Sequence, residues 1–156
     1  MSKKTLYVLS DTHGNQSFDM LLAATKDADL YVHLGDHTRD CDVLRSLTDK
    51  PVYGVKGNND YGDAYPLEDI ISVGGVRLLL LHGHTVGVKY SMDRLVYKAL
   101  EHEVGCVLYG HTHAPDITLE NGIFLVNPGA FGSFRPTYAR ITVENGTLLP
   151  DIFVFK

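Results

Sequence analysis

The apolar runs of this chain are short, and five of them are followed closely by a polar cluster rich in aspartate, histidine or asparagine. Leu6–Leu9 leads to Asp11-Thr12-His13, and Leu30–Leu34 to Gly35-Asp36. Val52–Val55 leads to Gly57-Asn58-Asn59-Asp60, Leu78–Leu81 to His82-Gly83-His84, and Cys106–Tyr109 to Gly110-His111-Thr112-His113. An apolar run that stops at such groups reads as a buried strand whose carboxyl end delivers a polar side chain. Open α/β sheets collect their ligands at those ends.

Helical spacing fills the gaps between the strands. After a strand over 5–10, Phe18, Leu21, Leu22 and Thr25 recur on one face behind Ser17, a candidate N-cap. Val43, Leu44 and Leu47 mark a short helix between strands over 30–34 and 51–56. This strand–helix alternation predicts a parallel sheet with right-handed crossovers. Val73-Gly74-Gly75-Val76 then reads as a tight hairpin, as do Asn121-Gly122 and Asn145-Gly146. Met92, Leu95, Val96, Ala99 and Leu100 form an amphipathic helix opened by Ser91, with Asp93 in its first turn. The expectation is two sheets packed face to face with helices outside, in one domain over residues 1–156.

Composition narrows the function. A chain of 156 residues buries roughly 70% of its unfolded surface and needs no disulfide. Cys41 and Cys106 have no zinc or redox spacing. Cys106 reads as a buried small hydrophobe and Cys41 as a helix-start residue, which suits a reducing compartment. A net charge of −5 argues against a general nucleic-acid coat and makes long nucleic acids a poor fit. It allows a phosphate ester if bound cations reverse the local field. No stretch reaches the ~20 apolar residues of a membrane span. The run after Met1 is too short for a signal peptide, so a cytoplasmic location is expected.

The polar clusters carry the chemistry. Asp11 and His13 offer a hard oxygen and an imidazole nitrogen to one cation. Asp36 has two oxygens and can bridge two cations. Asn58 supplies a carbonyl oxygen, and His82, His111 and His113 supply imidazoles. Such a mixed set suits manganese, iron, zinc or nickel better than calcium. As ordinary buried polar groups, seven together would be costly without a cation. The remaining histidines read differently. His33 is a core group or a support behind the ligands, and His102 a solvated charge near a helix end. His37 and His84 flank ligands and could line a cleft. Arg135 could reach a phosphate, although an exposed arginine is usually only solvated. The Tyr61–Tyr65 stretch reads as an ordinary loop.

The ordered series Asp-x-His, Gly-Asp, Gly-Asn-x-Asp, His-Gly-His and Gly-His-Thr-His resembles the calcineurin-like metallophosphoesterases. It is most similar to their small, cap-less, YfcE-like prokaryotic phosphodiesterases, from Asp11 to about Gly129. The resemblance implies an α/β (α+β) fold, a four-layer αββα sandwich of two mixed β-sheets flanked by helices. It implies one metal on Asp11, His13, Asp36 and His113, and a second on Asp36, Asn58, His82 and His111. Manganese is the first expectation, with iron, zinc, nickel or magnesium as alternatives. The implied reaction is in-line attack of a metal-bridging hydroxide on a small phosphodiester. Asn59, Asp60 and His84 are the candidate catalytic residues that are not ligands, Asp60 chiefly as support.

One departure matters. Many relatives carry His at the x of Gly-Asn-x-Asp, where it can protonate a leaving group. Asn59 cannot, so acidic leaving groups should be preferred. Ala130 replaces the Ser that often follows Asn-Pro-Gly. The rival readings are a non-catalytic protein-binding scaffold on the same fold, a nucleotide or phosphomonoester phosphatase, and a protein phosphatase. A homo-oligomer is compatible with all of them.

Overall fold

The computed structural model describes residues 3–13 and 17–155. Strand β1 (Lys4–Leu9), helix α1 (Phe18–Ala24), β2 (Leu30–His33), α2 (Arg39–Leu47) and β3 (Val52–Gly54) form the alternating opening. Next come β4 (Glu68–Val73), β5 (Val76–Leu81), a single 3-10 turn (His84–Val86) and α3 (Asp93–His102). The chain ends with β6 (Cys106–Leu108), β7 (Asp116–Glu120), β8 (Ile123–Asn127), β9 (Thr137–Glu144) and β10 (Thr147–Val154).

The strands make two mixed five-stranded sheets, ordered β10-β9-β1-β2-β3 and β4-β5-β6-β8-β7. Each holds three parallel strands, β1, β2 and β3 in one and β5, β6 and β8 in the other. Antiparallel strands complete both sheets. Side-chain alternation then decides the layers. Leu6, Val8 and Val32 face Leu78, Leu80, Cys106 and Leu108 between the sheets. Their sequence neighbours Tyr7, Leu9 and Tyr31 face outward onto Phe18, Leu21 and Leu44 of α1 and α2. Leu79 and Leu81 face outward onto Leu95, Val96 and Ala99 of α3. A strand covered on both faces must be apolar throughout, which explains the unbroken Leu78–Leu81 run. The expected αββα sandwich is what the chain forms.

The three two-residue turns close as predicted, pairing Val73 with Val76, Glu120 with Ile123, and Glu144 with Thr147. Three local expectations differ. Ser17 precedes α1 but makes no capping hydrogen bond. The residue capping α3 is Met92, and Ser91 accepts a bond from the Asp93 amide one position early. The third strand is only Val52–Gly54, because the backbone leaves the ladder to build the turn at Gly57. Among the described residues no helix is long and apolar enough to cross a membrane.

Candidate metal centre

The carboxyl ends of β1, β2 and β3 in one sheet, and of β5 and β6 in the other, meet at one edge of the sandwich. Asp11, His13, Asp36 and His113 each present a ligating atom, all within 4.8 Å of one another. The two carboxylates are buried and the two imidazoles exposed. His113 Nε2 stands 3.2 Å from Asp11 Oδ1. His82, fully buried, brings Nε2 to 3.5 Å from Asp36 Oδ2 and 3.8 Å from Asp11 Oδ1. His111 Nδ1 lies 3.2 Å from the same His82 nitrogen.

The charges show what belongs there. His82 Nδ1 is 2.9 Å from the Leu34 carbonyl, which only accepts, so Nδ1 carries a proton and donates it. That leaves Nε2 aimed at two carboxylates and a second imidazole. Positive charge has to sit between these groups. A proton on Nε2 would answer one contact only. Asp11 Oδ1 is buried with no aligned hydrogen-bond donor, and a cation serves it, both carboxylates and both rings together. Burial raises Asp11 above the usual carboxylate range, more than Ser10, His82 and His113 offset. Burial pushes Asp36 the same way, but His82 and two bonds from Asn59 outweigh it and hold Asp36 low. Burial, helped by His82 and Lys89, holds the His111 imidazole down at about 4, so it is neutral and free to give a lone pair. These residues fit a divalent cation.

Other residues hold these side chains in place. Asp60 accepts backbone amides from Asp36, His37, Thr38 and Gly57, at 2.8 to 2.9 Å. Burial raises its carboxyl, but those four bonds more than reverse it, and its pKa is lowered. With both oxygens engaged, Asp60 ties the Asp36 loop to the Gly57 turn and does not face the ligands. A Cβ on Gly57 would collide with Asp36 Oδ1, so only glycine lets the turn come this close. Asn59 donates from its backbone (3.0 Å) and its side-chain amide (2.9 Å) to the Asp36 carboxylate.

Behind the ligands the Gly35 amide donates to His33 Nδ1, which leaves His33 Nε2–H to donate to Thr12 Oγ1. The Thr12 hydroxyl donates in turn to Asp40. Asp40 also lies 3.1 Å from His37 Nδ1. Asn127, at the end of β8, donates to Thr112 Oγ1 and the Gly110 carbonyl and so braces the His111–His113 loop. Ser10 Oγ donates to Asp11 Oδ2 at 2.6 Å.

Not every predicted site residue is gathered equally. Asn58 is exposed in the Gly57 turn. Among the described residues, no hydrogen bond joins its side chain to the other ligands. The His84 ring lies 5.4 Å from that of His82 and 6.2 Å from that of His111, centre to centre, and its buried Nδ1 has no partner. Burial, with His82 beside it, lowers its pKa below the ordinary imidazole value. His37 and Asn59 line a cleft of about 320 Å³ with Arg39, Asp42 and Tyr61. Sequence reasoning missed the roles of Ser10, Thr12 and Asp40. Thr12 sits inside the Asp-x-His motif, but no local pattern ties it to Asp40.

A probable metallophosphoesterase of Methanocaldococcus jannaschii is 36% identical over 145 residues, covering 88% of this chain and 71% of that one. A predicted phosphoesterase of Streptococcus pneumoniae superposes with a TM-score of 0.84 at 28% identity, covering 99% of this chain and 91% of the other. Vacuolar Protein Sorting 29 from Cryptosporidium parvum shares the fold, with a TM-score of 0.78 at 18% identity and 98% of each chain covered. The family described as the calcineurin-like phosphoesterase superfamily domain matches residues 5–146, and with those carboxylates and imidazoles converging at its strand ends, the chain belongs to that superfamily.

Proposed function

We propose that the protein is a metal-dependent phosphodiesterase acting on small phosphodiesters. Asp11, His13, Asp36 and His113 would hold one divalent cation. Asp36, Asn58, His82 and His111 would hold a second, with manganese first among the candidates. Such a pair supplies a water ionised near neutral pH and positive charge for the phosphoryl oxygens. The observation that carries the reading is the partnerless Asp11 Oδ1, buried opposite the His82 and His113 nitrogens.

The protein's own groups do the positioning. The Leu34 carbonyl fixes the His82 ring, Asn59 fixes the Asp36 carboxylate, and Asp60 fixes both loops. His84, whose ring lies beside those of His82 and His111, would contact the substrate's phosphoryl group at the rim. The preference for acidic leaving groups follows from Asn59, whose amide has no proton to give a leaving alkoxide. A diester with an acidic leaving group needs none.

The test is hydrolysis of bis-p-nitrophenyl phosphate against p-nitrophenyl phosphate, after chelation and manganese reloading. Faster diester cleavage, lost in Asp36→Ala and His82→Ala, is expected. Full activity after chelation or in the Asp36 variant would sink the reading. A folded protein that binds no cation would instead be a scaffold on this fold.

A further inference from the structure

A groove of about 480 Å³ opens on the His113 side, walled by His113, Pro115, Phe134, Arg135, Ile152 and Val154. We infer that this groove is the subsite for a flat, apolar ring carried on one ester arm of the phosphodiester, an inference that rests on the function proposed above.

Three observations point to that occupant. His113 is both a wall of the groove and a member of the ligand cluster, 3.2 Å from Asp11 Oδ1. Whatever fills the groove therefore abuts the place where a phosphoryl group is bound. Phe134 is wholly exposed, at 106% of its reference surface, and its ring is unused by the core. Val154 adds a second exposed apolar surface. An aromatic face left in water beside a phosphate site is a stacking platform for a ring. The cation in the wall is Arg135, which complements an anionic phosphate next to the ring. A volume of this order matches a pocket for a single small group.

The opposite cleft differs in kind. The walls near Asn59 carry His37, Arg39, Asp42 and Asp60 beside Tyr61 and Tyr65, more titratable groups than the His113 groove, with acidic ones among them. The two arms of a diester would meet unlike surroundings on either side of the ligands, and the ring goes to the His113 side.

The experiment compares phenylphosphonate with methylphosphonate, binding to the manganese-loaded protein by calorimetry. The ring should tighten binding roughly tenfold, the effect of one stacking contact. Phe134→Ala should bring the ratio close to one, whereas Tyr97→Ala, exposed on α3, should leave it unchanged. In parallel, the p-nitrophenyl esters of methyl phosphate, phenyl phosphate and thymidine 5′-phosphate share one leaving group and differ only in the other arm. A lower KM for the phenyl ester shows that any flat ring suffices, and a lower KM for the thymidine ester alone shows a nucleobase site.

Equal binding of the two phosphonates, or a ratio that survives Phe134→Ala, overturns the inference even if diesters are cleaved. A ring preference lost in Phe134→Ala without any ester cleavage keeps the groove and removes the diesterase reading. A groove covered by a second copy would give a dimer on sedimentation and no ring preference, which also overturns it.

Discussion

Asp11, His13, Asp36, His111 and His113 all have left-handed backbones, with φ of 51°, 49°, 60°, 71° and 66°. With His37 they make up six of the nine non-glycine residues so placed among the described residues. The other three have ordinary explanations, Asn121 and Asn145 in hairpin turns and Glu103 at the end of α3. Each such residue costs about 1 kcal/mol, and the surrounding bonds hold it there. The strain turns successive side chains of one loop toward the same point, which an extended strand cannot do. Asn59 is the residue to probe. Removing its side-chain bond to Asp36 should weaken manganese retention by roughly tenfold or more, read by competition with a chelating dye in Asn59→Ala. Asn59→His should favour alkyl over aryl esters relative to the parent, because an imidazole can donate a proton. An unchanged alkyl-to-aryl ratio would show that this position does not touch the leaving group.

Between elements, the supports are long-range hydrogen bonds. Asp60→Ala strands four backbone amides around α2 and should cost roughly 2–4 kcal/mol, measured by urea unfolding. His33 gives a pH signature. Burial holds its imidazole at about 4 against an ordinary 6.5, Asp40 and Asp60 only partly opposing it. Between those values the unfolded chain binds more protons than the folded one. The stability is therefore full above about 6.5 and is lost as pH falls toward 4, about 3 kcal/mol in all. In His33→Gln the fall over that window should be shallower; an identical profile would remove His33 as its cause.

The hairpins, and the gathering of Asp11, His13, Asp36 and His113 at the strand ends, were legible in the sequence because their signals are local: an Asn-Gly pair between strands, or an aspartate just past an apolar run. The Thr12–His33–Asp40 chain was not, since its members lie 21 and 28 residues apart. Nor was the shortness of β3, which the turn at Gly57 decides.

At the scale of the molecule, the proposed ligands come from both sheets, Asp11 and Asp36 from one, His82 and His111 from the other. A cation bound only by the folded form stabilises it by mass action. At a hundredfold excess over Kd the gain is about 2.7 kcal/mol, or roughly 5–10 °C in Tm for a chain this size. Chelation should lower Tm by that amount in scanning calorimetry, and little in Asp36→Ala. The layered architecture was readable from the strand–helix alternation and the hairpin turns that follow it. The pairing of β1 with β9 was not, because the paired residues, from Val8 with Ala139 to Lys4 with Val143, lie at opposite ends of the sequence.

That pairing carries a consequence for how the protein is born. Leu6 lies opposite Ile141, and the amides of Phe131 and Gly132 grip the Ser10 and Asp11 carbonyls. A ribosome that has released the chain through His113 has delivered every proposed ligand, but not the strand beside β1 or the loop that pins Asp11. Assembly of the pocket waits for the last hairpin to emerge, so a chain stopped short of β9 should own all the right side chains and hold nothing with them.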